Sequence, residues 1–551
     1  MEETRSDLKS IHPYLPLLLR SSTLLFWPSK VVQALKILSK GPSESNVDSG
    51  EVFFLAITDL RDSLGLSSHH LADLASDGYT LFFDELMRCV ESKKWFEVIV
   101  PGLASLLLRL PDLLHAHYQN ADKLEAAEDG EFRGVSTGLR LLDSQEAGIV
   151  FLSQELIGAL LACSMFCLFP TISRDEKCLP IINFDYLFAS LCPSYSQNQE
   201  NKIMCLIHYF ERICSCMPLG FVSFERRVLP ESDSCLSVSY PKPNFWRRSK
   251  VALCCFEVRH SGLIEDQLNE ALEVDFANRY LGGGALSRGC VQEEIRFMIN
   301  PESIVGMLFL PSMEDNEAIE IVGAERFSSY TGYASTFRFA GDYLDKKPID
   351  CTGRRKTWIV AIDALCNAKR RQYAVEYLLR EINKAFCGFL DQSKYHCYQK
   401  LFQDDGQAHG SNAHAEISEE LNKSPSTAAR CNEDPMDWTQ TSPHEINSKN
   451  LDGRDNIGIV TGNWGCGAFG GDPELKSVIQ WLAASQALRP FIFYHTFQDD
   501  SLQYLEKVSN WILSHKWTVG DLWNMLVEYS SQRIKGETHT GFFSWLLPSL
   551  T

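Results

Sequence analysis

The sequence predicts an α/β fold in its C-terminal half, a mixed sheet flanked by helices, preceded by an all-helical N-terminal domain. Three observations carry that prediction. Apolar residues recur every three to four positions from Ser29 to Arg212, short β-branched or alternating runs interleave with helical patterns from about Lys250 onward, and two glycine-rich segments fall where strands should end.

The helical half, residues 1–217, is carried by segments such as VVQALKILSK, FDELMRCVESKKWFEVIV and LASLLLRLPDLLHAHYQNADKL, separated by Gly, Ser or Pro. Its longest apolar stretch, Leu156 to Phe169, suits a buried helix, because a membrane span needs about 20 residues. Residues 218–248, rich in Ser and Pro, read as a junction. The α/β domain is read over 249–551. Its strand candidates are VALCCFEV, ALEVDFAN, AIEIVGAE, STFRFAGDY, TWIVAIDAL, GIVTGN and FIFYHTF, and its helices include AVEYLLREINKAFCGFL and PELKSVIQWLAASQAL. The polar stretch 403–455 lacks apolar periodicity and reads as a flexible insertion within this domain, one whose removal should spare most activity and stability.

Composition narrows the function. With 52 Lys+Arg against 71 Asp+Glu, the net charge of −19 argues against capture of duplex nucleic acid by a broad basic surface. That acidity is uneven. Residues 1–200 carry 16 basic and 27 acidic groups and 403–455 carry 4 and 11, so the remainder, with 32 and 33, is nearly neutral. Hydrophobic residues at 45% exclude wholesale disorder. The 18 cysteines contain no CxxC and read as reduced thiols of an intracellular protein. The acidic start and brief apolar run of MEETRSDLKSIHPYLPLLL make a poor secretory signal. A nuclear or cytoplasmic protein, with no membrane partner and acting as a monomer, is expected. Arg247-Arg248-Ser-Lys250, Arg354-Arg355-Lys356 and Lys369-Arg370-Arg371 are candidate import signals, although such runs are more often solvated surface.

The first glycine segment, ALEVDFANRYLGGGALSRGCVQEEIRF, places Gly282, Gly283 and Gly284 shortly before Gln292-Glu293-Glu294. Three successive glycines cannot strengthen a strand, and their usual use is close backbone approach. Adjacent carboxylates diverge in direction, so one can face a scissile bond while the other holds a neighbouring hydroxyl. Proximity also raises one of the two pKa values, as a general acid near neutral pH requires. An exposed helix face is the plainer reading of Glu-Glu alone.

The second segment, IGIVTGNWGCGAFGGDPELKSVIQWL, reads as strand, glycine loop and helix, with Asp472 as N-cap and Pro473 in the first turn. Convergent N–H groups at a helix N-terminus suit a diphosphate. Gly465-Cys466-Gly467-Ala468-Phe469-Gly470 also matches GxGxxG, but the following strand brings no acidic residue about 20 positions on, which disfavours a dinucleotide-binding oxidoreductase. Tyr330 and Tyr333 in a loop between strands, Phe469 in the glycine loop, and Phe497 at the end of the FIFYHTF strand could stack on a base, although each taken singly is more readily read as core. Together, diphosphate loop, aromatic walls and paired carboxylates imply a nucleotide-sugar substrate whose glycosidic bond is cleaved.

These segments resemble the poly(ADP-ribose) glycohydrolase family. GGG, seven residues and then QEE is similar to its signature, and VDFAN, QEEIRFMINPE, ERFSSYTGY, IVAIDAL and TGNWGCGAFGGD fit the same family over roughly Ser249 to Trp545, with HKWTVGDLWNMLVEYS and GFFSWLLPSL pointing to a plant-type member. The resemblance implies a macrodomain-like catalytic domain with a helical accessory domain, hydrolysing ribose–ribose O-glycosidic bonds of poly(ADP-ribose) on modified proteins, with no metal or other cofactor. It implies Glu294 as general acid and then base, Glu293 on a ribose hydroxyl, and Asp275, Asn278 and Gln292 shaping the site. Gly282, Gly283 and Gly284 would approach ribose and diphosphate. Asn463, Trp464, Gly465, Cys466, Gly467 and Ala468 would cradle the diphosphate, Ile264 and Glu265 would meet the adenine end, Tyr333 would close over substrate, Phe497 would stack on adenine and Phe469 would pack nearby. A reader of ADP-ribose that cleaves nothing is the alternative, and it would not need the Glu293-Glu294 pair.

Overall fold

The computed structural model describes residues 5–548 except 21–23, 68–69, 128–130, 232–237, 268–269, 392–393, 395–397 and 399–456. The insertion expected at 403–455 lies outside the described residues.

Eight strands form one mixed sheet: β1 (Gly148–Ser153), β2 (Phe221–Val228), β3 (Cys255–Arg259), β4 (Ala271–Asp275), β5 (Glu317–Val322), β8 (Trp358–Ala361), β9 (Gly458–Gly462) and β10 (Phe491–His495). A separate hairpin pairs β6 (Ser328–Thr331) with β7 (Arg338–Asp342). The order across the sheet is β1-β2-β5-β8-β4-β9-β10-β3. From β8 to β3 every pairing is parallel, whereas β1, β2, β5 and β8 pair antiparallel.

The helices that matter here are α1 (Ser29–Leu38), α2 (Gly50–Ser63), α3 (Val100–Ala126), α4 (Gln154–Met165), α5 (Gln197–Ser215), α6 (Gln292–Ile299), α7 (Val375–Phe389), α8 (Pro473–Gln486) and α9 (Val519–Lys535). Side chains alternate between the sheet faces. Ile319, Ile321, Ile359 and Ala361 share one core with α6 and the helical half, while Leu272, Val274, Val322 and Val360 pack on α7, α8 and α9. The same alternation aims Glu273 and Asp275 of β4 at the α6 face, where Glu273 pairs with Arg296 at 2.5 Å. Strands covered on both faces read as continuous apolar runs, as IVAIDA and GIVTG do.

Two strands of this sheet depart from the expected pattern. β1 lies inside the stretch read as helical, and β2 inside the stretch read as a junction, yet both extend the sheet. GIVFLS is too short to break a helical pattern and runs directly into α4, and FVSFERRV alternates only when its Ser223 and Glu225 are assigned to the second face. The buried helix expected at Leu156–Phe169 is α4, every residue of which except Glu155 is buried. The helical run Cys89–Ala126 has the length and apolarity to cross a membrane. Leu103, Leu107, Leu110 and Leu114 nevertheless turn into the core, and Arg109, Asp112, His115 and Gln119 are exposed, as on a helix packed against one face of a protein. All described cysteines are free thiols.

Candidate active site

β4, β9, β10 and β3 are successive parallel neighbours, so the loops leaving their C-terminal ends emerge at one edge of the sheet. That edge is where open α/β sheets bind ligands. It gathers the carboxylate segment after β4, the glycine loop after β9, Phe497 after β10 and Ile264-Glu265 after β3, segments far apart in the chain.

The three side chains that open α6 act as a set of hooks. Gln292 Oε1 accepts the Phe276 N–H at 2.8 Å and its Nε2 donates to the Val274 carbonyl at 3.1 Å. Glu293 accepts the N–H groups of Asn278 at 2.8 Å and Gly282 at 2.7 Å. Glu294 accepts those of Gly284 at 2.9 Å and Val291 at 2.8 Å. The last bond is half of a capping box; valine has no side-chain oxygen to complete it. The glycines were expected to bring N–H groups to substrate, and the structure turns those of Gly282 and Gly284 onto the protein's own carboxyls. The triple glycine exists for that approach. Gly283 sits at φ +48°, and a Cβ there would stand 2.5 Å from Glu293 Oε2 and 2.8 Å from Glu294 Oε1. Asn278 Oδ1 accepts the Tyr280 N–H at 3.0 Å, fixing the turn between.

Asp275, Glu293 and Glu294 are all buried. Neither oxygen of Asp275 has a hydrogen-bond partner among the described residues. Burial pushes its carboxyl up to about 8, with Arg296 opposing and Glu294 adding to the rise. Burial, followed by the charges of Asp275 and Glu294, also pushes Glu293 well above the ordinary carboxylic range, against its two N–H donors. Asp275 therefore retains its proton at neutral pH beside the hydrogen-bonded carboxyls of Glu293 and Glu294.

The loop after β9 divides its labour. The Trp464 indole is fully buried and donates to the Ile362 carbonyl at 2.8 Å, so this side chain anchors the loop instead of meeting a ligand. Asn463 is locked between Thr496 O, to which it donates at 3.1 Å, and the Tyr494 hydroxyl, from which it accepts at 3.0 Å. Cys466 donates its thiol to the Trp464 carbonyl at 3.6 Å. Gly465 has φ +73°, and a Cβ there would meet Ala364 at 2.4 Å. Gly467 and Ala468 are exposed, and among the described residues no acceptor takes the N–H of Gly465, Gly467, Ala468 or Phe469. Phe469 packs on the core through its ring and accepts the Ala368 N–H at 3.0 Å. Asp472 caps α8 through Glu474 N–H at 3.0 Å, with Pro473 in the first turn. Four N–H groups without an acceptor ahead of a capped helix are the arrangement that suits an anion.

At the far end, Phe497 is 44% exposed, lies at φ +51° and stacks on His495 at 5.9 Å. The strand stops at His495, two residues earlier than expected, because Phe497 and Gln498 both take left-handed backbone. Ile264 and Glu265 are buried, and Glu265 accepts the Tyr330 hydroxyl at 2.5 Å. Tyr330 thus belongs to β6, not to the loop. Tyr333, on the turn of that hairpin, is 54% exposed, and its hydroxyl end lies near the Gln292 backbone and Glu294. Residues that motif reading passed over include Tyr494, Thr496 and, on α5, Lys202, none of which sits in a recognisable pattern.

A mixed sheet with helices on both faces, a carboxylate cluster and an anion loop at the C-terminal strand edge define a macro-domain protein with hydrolase chemistry. Two family models match the chain: Poly (ADP-ribose) glycohydrolase (PARG), Macro domain fold, over residues 243–504, and Poly (ADP-ribose) glycohydrolase (PARG), helical domain, over residues 87–226. The chain is 59% identical to poly(ADP-ribose) glycohydrolase 1 of Arabidopsis thaliana, covering 100% of this chain and 98% of that protein. It is 51% identical to the probable poly(ADP-ribose) glycohydrolase 2 of the same plant, covering 100% of each. With poly(ADP-ribose) glycohydrolase 1 of Caenorhabditis elegans it shares 31% over 61% of this chain and 37% of that protein. The chain belongs to the poly(ADP-ribose) glycohydrolase family, as a plant-type member.

Proposed function

We propose that the protein is a poly(ADP-ribose) glycohydrolase, cleaving ribose–ribose O-glycosidic bonds to release ADP-ribose. The observation that carries this reading is the Glu293-Glu294 pair, buried beside Asp275 and seated on four backbone N–H groups. A reader needs no such cluster. Glycosidic departure through an oxocarbenium-like state needs a proton for the leaving oxygen and negative charge beside the sugar. In this assignment Glu294 protonates the departing ribose oxygen and then takes a proton from the attacking water. Glu293, whose oxygens keep free lone pairs beyond their N–H bonds, holds a ribose hydroxyl, and protonated Asp275 limits the charge crowded into the site.

The N–H groups of Gly465, Gly467, Ala468 and Phe469 bind the diphosphate. Phe497 stacks on adenine, Ile264 and Glu265 border it, and Tyr333 covers the ribose. The substrate is poly(ADP-ribose) carried on modified proteins, and the protein works in the nucleus, the cytoplasm or both, consistent with a part in the response to DNA damage. Incubating the protein with poly(ADP-ribose) and resolving the products by chromatography tests the activity. Free ADP-ribose is expected; retention of intact polymer without ADP-ribose would favour the reader instead.

A further inference from the structure

Lys202 lies on α5, in the helical half, and its surroundings, QNQENKIM, contain no motif. It is fully buried, and among the described residues its ammonium meets no carboxylate. Instead Nζ donates to the carbonyls of Gly289 at 2.5 Å, Ser287 at 2.7 Å and Gly284 at 3.3 Å, and to Gln199 Oε1 at 3.3 Å. Burying an ammonium carries a large desolvation penalty that its hydrogen bonds must offset. Burial lowers its pKa to about 8, and Cys290 on the loop, Glu294 on α6 and Cys205 on α5 oppose that fall.

The carbonyls it gathers belong to the segment that seats Glu294. Gly284 gives its N–H to Glu294 and its carbonyl to Lys202. Gln199 adds a bond from Nε2 to the Arg288 carbonyl at 3.0 Å. The same helix face also holds the Tyr333 turn: Asn198 donates to the Ala334 carbonyl at 3.1 Å, and Asn201 accepts the Phe339 N–H at 2.9 Å.

We infer that Lys202 is a positioning residue for the hydrolysis: its ammonium sets the shape of the 284–289 segment and so the seat and charge environment of Glu294, with Gln199 assisting. This rests on the glycohydrolase reading above. Lys202→Met keeps the stem and removes the charge. Its kcat on poly(ADP-ribose) is expected to fall about 10²-fold while KM changes less than about threefold. The alkaline limb of the kcat–pH profile, where the acid loses its proton, should move to higher pH, because a nearby cation favours the carboxylate. Gln199→Ala, which leaves the charge in place, should lower kcat about three- to tenfold without moving that limb.

Both variants should still bind ADP-ribose and unfold cooperatively. A folded Lys202→Met protein with wild-type kcat and pH profile overturns the inference, as does loss of ADP-ribose binding in step with kcat, which would make the lysine plain scaffolding. Should Lys202→Met fail to fold, Gln199→Ala decides, and wild-type kcat there overturns the inference. The wild-type protein assayed alongside separates the two readings: if it releases no ADP-ribose, the glycohydrolase reading falls and this inference with it.

Discussion

Gly283→Ala isolates the seat of the carboxyl pair. The added Cβ would lie 2.5 Å from Glu293 Oε2 and 2.8 Å from Glu294 Oε1, where contacts under 3.0 Å are essentially never found. Both carboxyls must therefore retreat, that of Glu293 by half an ångström or more, loosening the bonds that Glu293 Oε2 accepts from Asn278 and Glu294 Oε1 accepts from Gly284. The backbone at φ +48° adds about 1–2 kcal/mol for a non-glycine residue, partly offset by the smaller entropy of unfolded alanine, about 0.4–1 kcal/mol. The net loss of stability is about 1 kcal/mol, a fall of a few degrees in Tm at most for a protein of this size. Misplacing a catalytic group by about 1 Å costs about 10²-fold in rate. Steady-state hydrolysis and thermal unfolding on the same preparation should thus show a large loss of kcat with a small loss of Tm. Turnover within twofold of wild type would refute the argument that these glycines exist to seat the carboxyls.

A Cβ on Gly467 meets nothing within 4 Å; Gly467→Ala should leave unfolding unchanged while raising KM about tenfold if the loop backbone touches the diphosphate, and an unchanged KM would remove Gly467 from the site. Phe497→Ala should weaken ADP-ribose binding by about 1–3 kcal/mol in calorimetry with little effect on Tm, as for loss of a stacked base; unchanged affinity would free the adenine from this ring. Asp275→Asn tests the buried acid. Below about pH 4 folded and unfolded chains both carry the Asp275 proton; between there and about 8 the unfolded chain releases it and the folded one does not, so folding loses at most about 1.4 kcal/mol per pH unit and the loss levels off above. The variant should therefore gain urea stability over wild type at pH 7.5 but not at pH 4, and an equal difference at both would contradict a raised pKa.

What the chain made legible was local. Asp472 and Pro473 announce α8 because capping is decided within one turn, and the apolar runs of β8 and β9 announce strands buried on both faces. The glycines and the acids were legible as neighbours, but not their relation, since a run of three glycines equally suits an outside ligand and an inward carboxyl. β1 escaped because six residues of strand inside a helical half carry too little alternation to compete. Tyr330 and Glu265 are 65 residues apart, and Lys202 and Gly289 are 87 apart. Such pairs are created by the order of strands and the docking of α5, which no periodicity encodes. Trp464 shows the converse: its place in a glycine loop suggests ligand contact, while its side chain is the loop's anchor in the core.

Glu294→Gln bears most directly on the chemistry. The amide cannot deliver a carboxylic proton, and its NH2 must abandon one of the two N–H donors, at a cost of about 1–3 kcal/mol. Release of ADP-ribose from poly(ADP-ribose) by folded Glu294→Gln protein, measured beside its binding of ADP-ribose, should fall about 10²–10⁴-fold with binding retained. Undiminished release would show that the proton comes from elsewhere.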